Sequence, residues 1–253
     1  MVWLIGAILA LSGSYSISAE EIFRVASESW LPFIGKELKH DGVLSHIVTE
    51  AFAHENVKVE FTYFSSGARV LRVVKKGEWN ATAGWTGSKE REKDYYFSDN
   101  LMDEKMVFFY NKDVPFHWEN WDDLKALSVG ATKGYYYGEQ FDLHAKNNKL
   151  QIEWVRSDDL NFKKLIKRRI NIFPMNLDVG MYVLRSKFTA KEIEPIDYHS
   201  KPLDQGPLVM LFSKKIAKNV EFVKKFNKGL NHLKEMGKYD QYFENSRQGG
   251  YVK

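Results

Sequence analysis

The stretch "AGWTGSKEREKDYYFSD", Ala83 to Asp99, decides how the rest of the chain is read. Its apolar lead-in "NATAG" ends at Gly84, where a backbone without a Cβ can lie directly against a ligand. Thr86, Ser88 and Arg91 follow at once. With Ser88 capping a new helix, the hydroxyls, the first free N–H groups and the Arg91 guanidinium converge on one spot suited to a carboxylate or similar anion. Trp85 adds a flat apolar wall beside them. The competing reading pairs Arg91 with Glu90, Glu92 or Asp94 on a solvated face.

Upstream, "IFRVASE" from Ile22 reads as a strand that "SWLPF" breaks at Pro32. Trp30 and Phe33 then stand at the strand's carboxyl end, where open α/β sheets gather their ligands. Trp30 is either a stacking aromatic over that end or a plug of the core. Asp41 is expected to cap a helix whose apolar positions Leu44, Ile47, Val48, Ala51 and Phe52 form one stripe. "KVEFTYF" alternates as a strand, and Ser65 or Ser66 opens a second helix through Val70, Leu71 and Val74, stopped at Gly77. Arg69 on its first turn faces either the cleft or solvent. Strand, helix, strand, helix, strand implies parallel pairing through crossover helices.

Composition narrows the class. The 253 residues suffice for one large or two smaller cores, and 15% aromatic content supplies flat side chains for a cleft. The net charge of +4 arises from 37 basic and 33 acidic residues, too mild a balance to indicate nucleic acid. The first nineteen residues, "MVWLIGAILALSGSYSISA", carry no charge, hold an apolar core and end in small residues. They read as a secretory signal peptide, 1–19, cut after Ala19, with an uncleaved N-terminal anchor as the alternative. There is no cysteine, so disulfides and thiol catalysis are excluded. No dinucleotide, phosphate-loop or nucleophile-elbow string occurs, and the histidines form no HxH or HxxxH pair, so no metal and no cofactor is expected.

Four passages in register resemble the extracellular family 3 solute-binding proteins, the periplasmic amino-acid-type group that feeds ABC transporters. "AGWTGSKER…YYFSDN" is similar to that family's "AGMTITxER…FSDPY"; "WDDLKALSVGATKG" to its "sLeDLkGkkVGvqkG"; "RRINIFPMNLDVGMYVL" to its "GRvDavvaDspvalyll"; and "GLNHLKEMGKYDQYF" to its "aLxxLkxdGxyxxI". The resemblance implies an α/β, two-lobe type II periplasmic binding fold, each lobe a mostly parallel sheet flanked by helices, with two crossover strands as hinge. It implies lobe one at 20–109 plus 212–253 and lobe two at 110–211, the strands crossing near Phe109 to Asn111 and Pro207 to Leu211.

Carried over residue by residue, the resemblance makes Thr86, Ser88 and Arg91 the carboxylate holders and Trp30 the stacking aromatic. Gly84 and Trp85 complete that wall. Lobe two departs from the family twice. After the Gly134 turn stand Tyr135 and Tyr136 in place of small hydroxyl residues, and Asn176 stands where the family grips the ligand's ammonium with an Asp. A neutral amide supplies no ion pair to a buried ammonium. Asp178 either substitutes for it or caps a helix starting at Val179, with Tyr182 a further candidate. The resemblance thus implies a monomeric, non-enzymatic binding protein in the periplasm, which takes a small carboxylate-bearing solute and hands it to an ABC permease or a membrane receptor. The alternatives are a dehydratase-like enzyme on the same fold, with Asp178 or Glu28 as acid or base, and a sensory module.

Overall fold

The structure, a computed structural model, describes residues 21–253. The expected signal peptide lies outside the described residues. The strands are β1 (Glu21–Ser27), β2 (Val57–Tyr63), β3 (Ala81–Thr86), β4 (Tyr95–Phe97), β5 (Met102–Asn111), β6 (Ser128–Thr132), β7 (Gln151–Val155), β8 (Ile172–Asn176), β9 (Ile196–Tyr198) and β10 (Asp204–Ser213). The helices are α1 (Val43–Ala53), α2 (Gly67–Lys75), α3 (Glu139–Lys146), α4 (Asp158–Ile166), α5 (Leu177–Lys187), α6 (Ala190–Ile193), α7 (Asn219–Glu235) and α8 (Lys238–Arg247).

Their pairing gives the order β2-β1-β3-β10-β5-β8-β6-β7. β1 pairs in parallel with β2 and β3, and β6 with β7 and β8, so each end is a parallel wing built by strand–helix–strand crossovers. Between the wings run two long antiparallel strands. β5 and β10 pair with each other over Met102–Met106 and Asp204–Leu208, then diverge, β10 to β3 and β5 to β8. Phe109 to Asn111, expected at the crossing, pair instead with β9 and, in part, with β8.

Alternation along these strands distributes their apolar side chains to both faces. In β5, Phe108 joins one buried cluster with Trp118, Tyr137 and Ile172, while Val107 and Phe109 join another with Phe162 and Phe173. In β10, Met210 and Phe212 pack with Phe23 and Phe226, and Val209 and Leu211 with Val70 and Tyr95. The α1 stripe is buried as expected, and α7 lies directly on it: a Cβ on Gly229 would come 1.9 Å from the Ala51 carbonyl oxygen. Only a residue without a side chain permits that approach.

Three local expectations are corrected. Asp41 does not cap α1; it sits at φ +56° in the preceding turn, and Gly42 occupies the cap position. Ser88 opens no helix, only a single 3-10 turn over Arg91–Lys93. α5 starts two residues earlier than expected, because Asn176 rather than Asp178 caps it, its Oδ1 accepting from the Val179 N–H at 3.1 Å.

Candidate functional site

The carboxyl ends of β1 and β3 open into a cavity of about 270 Å³ lined by Glu28, Trp30, Ile34, Thr82, Ala83, Gly84, Trp85, Thr86, Arg91, Glu104 and Leu208. Each wall follows from local sequence. Beyond β1 the chain turns back on itself, the Trp30 N–H donating to the Ile34 carbonyl at 2.8 Å and the Ile34 N–H returning to the Trp30 carbonyl at 2.9 Å. That turn, broken by Pro32, leaves the Trp30 ring half-buried against Phe33, centroids 4.4 Å apart. Gly84 has φ +82°, and a Cβ there would meet Trp30 Cζ3 at 3.0 Å. Glycine is therefore what lets β3 pass beneath the indole.

Arg91 is held over the second indole. Its guanidinium carbon lies 5.1 Å from the Trp85 ring centroid, and Nη1–H donates to the Thr86 carbonyl at 2.5 Å. Trp85 is itself oriented by Nε1–H donating to Thr82 Oγ1 at 2.9 Å. None of the acids of the solvated-face alternative, Glu90, Glu92 and Asp94, forms an ion pair with Arg91, and two of them have other partners. Glu90 pairs with Lys93 and Asp94 with Lys75, each at 2.7 Å. Among the described residues no carboxylate is within ion-pair range of Arg91, so most of its five N–H donors are left for a ligand.

Glu104, which carries no signal in the family motifs, is a half-buried acid of this cavity. Desolvation by burial raises its pKa first; the Asn176 hydrogen bond opposes that, and the nearby Asp204 charge adds to it. Asn176 Nδ2–H donates to Glu104 Oε1 at 3.4 Å. A second cavity of about 200 Å³ adjoins, lined by Thr86, Glu104, Met106, Tyr136, Gly138, Asp204, Gln205, Gly206 and Leu208. Thr86, Glu104 and Leu208 belong to both linings. Strand alternation could have pointed to Glu104, since it puts Met102, Glu104 and Met106 on one face of β5.

The structure thus brings Trp30, Gly84, Trp85, Thr86 and Arg91 together, adds Tyr136 at the adjoining cavity, and ties Asn176 to it through Glu104. The other candidates lie elsewhere. Ser88 is exposed, its Oγ accepting from the Arg91 N–H at 3.2 Å to close the turn. Tyr135 donates its hydroxyl to Asp158 Oδ2 at 3.1 Å, and burial pushes its pKa up to about 12. Arg69 is exposed over the Phe64 ring at 5.2 Å. Asp178 accepts from Arg247 Nε at 2.8 Å and, with Tyr182, lines a separate cavity of about 120 Å³. Asp178 lines neither of the two cavities that share Glu104. Among the described residues there is no group of three or more His, Asp or Glu placed to hold a metal, and no helix is long and apolar enough to cross a membrane.

The sequence profile of the bacterial extracellular solute-binding proteins, family 3, matches residues 24–246. No curated protein sequence matches the chain. Among solved structures, the second substrate-binding domain of Lactococcus lactis GlnP, in an open conformation, superposes with a TM-score of 0.70 at 18% identity, over 90% of this chain and 96% of that one. An ancestral arginine-binding protein bound to arginine gives 0.63 at 21% identity, over 88% and 97%. An ancestral amino-acid-binding protein described as a precursor of cyclohexadienyl dehydratase gives 0.61 at 20% identity, over 92% and 95%. At such identities the likeness is one of fold, the two-lobe type II binding-protein fold.

Proposed function

We propose, from the premise that this chain belongs to the bacterial extracellular solute-binding proteins of family 3, that it captures a small carboxylate-bearing solute between its lobes for an ABC importer in the periplasm. The observation that carries this reading is Arg91, without an acid partner among the described residues and set against Trp85 at the mouth of a cavity between β3 and the crossing strands. A solute carboxylate takes the free edge of the guanidinium and the Thr86 hydroxyl; Trp30 and Trp85 cover its body. Lobe one then comprises β1 to β4 with the chain after β10, and lobe two the segment from β5 to β9, with the hinge at Met102–Met106 and Asp204–Leu208. Closure is driven by the solute because only the closed form touches both walls. The working unit is a monomer whose partner is a permease or a membrane receptor.

The test is native mass spectrometry of freshly purified protein, which is expected to reveal a co-purified acid at one-to-one stoichiometry. A second reading, an enzyme on this fold, is favoured by one observation: Glu104 carries a carboxyl pushed toward its protonated form by burial, in the same cavity as Arg91. Conversion of the bound acid, followed by NMR, selects that reading; an unchanged ligand selects capture.

A further inference from the structure

The two adjoining cavities hold one cationic side chain, Arg91, and three acidic ones, Glu28, Glu104 and Asp204. Arg91 accounts for a single carboxylate on the solute and leaves the acids without a counterpart. Asn176 uses Oδ1 to cap α5 and Nδ2 to orient Glu104. The two are neighbours across the strand pair, for Asn176 is registered with Met106 on β5, two residues along from Glu104.

We propose that Glu104 is the specificity-determining residue of the cleft, reading an amine or guanidinium on a solute whose carboxylate is held by Arg91. The proposal rests on the solute-capture reading above and narrows it to acids that also carry a cation. Space for that group exists: Gly206 is registered opposite Glu104 on β10, lines the second cavity, and a Cβ there would meet nothing within 4 Å. Asp204, the diagonal neighbour of Glu104 across the same strand pair, lines the far cavity and lies against Gly138 at the start of α3. Glu28 lines the near cavity, where a Cβ on Gly67 would come 2.4 Å from its Oε1. A solute whose carboxylate is held by Arg91 shares its cavity with Glu104.

The test is calorimetric titration of the purified chain with L-arginine and L-lysine, and with succinate and L-glutamate, in wild type, Glu104→Gln and Asp204→Asn. The expected result is binding of the two basic acids, at least tenfold weaker in Glu104→Gln and weakened less in Asp204→Asn, with succinate and L-glutamate at least tenfold poorer in wild type. Loss of that charge selectivity in Glu104→Gln separates a contact role from a structural one, and circular dichroism confirms the fold. Equal or tighter binding of succinate, no binding of the basic acids, or unchanged affinity in Glu104→Gln overturns the assignment. Tight succinate binding would leave the capture reading standing, whereas a purified protein that carries no small molecule and binds none of the four would remove both.

Discussion

Asn176 and Glu104 are joined by a single hydrogen bond, Nδ2–H to Oε1 at 3.4 Å, between the cap of α5 and the long strand β5. One amide thus serves two ends, a helix start and the orientation of a half-buried acid. Replacing it separates the two. Asn176→Ala loses the cap and is expected to cost about 1 kcal/mol in urea unfolding, whereas Asn176→Asp keeps the cap and sets a second carboxylate beside Glu104.

Stability against pH follows from Glu104. Its folded-state pKa lies above its unfolded value through burial, with Asp204 adding and the Asn176 amide opposing. The folded state therefore holds its proton longer, and stability falls as pH rises from the ordinary carboxylate range through the raised pKa. The other charged groups lining its near cavity are Arg91 and Glu28. The melting temperature of Glu104→Gln is expected to decline less than that of wild type across this window; parallel curves would contradict the burial of the charge.

Gly84 is expected to resist substitution. At φ +82°, with Trp30 Cζ3 only 3.0 Å from where a Cβ would stand, Gly84→Ala combines a left-handed backbone cost of about 1–2 kcal/mol with displacement of the indole. Denaturant unfolding measures the first, and a shift in tryptophan fluorescence the second.

Much of the fold was legible because its signals are local. The α1 stripe of Leu44, Ile47, Val48, Ala51 and Phe52 is buried in full, and the run around Val107 to Phe109 reads as a strand because both its faces are covered. α3 has no counterpart among the elements expected from sequence, for Phe141 is its one buried side chain. At the site, Trp30, Gly84, Trp85, Thr86 and Arg91 were legible because four of them fall in one short segment and the fifth at a strand end. Glu104 was not, since its meaning comes from Asn176, 72 residues away. The partner of Asp178 was hidden in the same way, Arg247 lying 69 residues along the chain. The helix expected at Ser88 is a shorter element: its hydroxyl does close a turn, but the turn stops after Arg91–Lys93.

The most direct test of the central claim is calorimetric titration of wild type and Arg91→Ala with L-arginine and succinate. With charge-assisted hydrogen bonds worth about 1.5–3 kcal/mol, whichever acid binds wild type is predicted to bind Arg91→Ala about ten- to a hundredfold more weakly, with the unliganded melting temperature unchanged. Equal affinity in the two proteins would contradict the account.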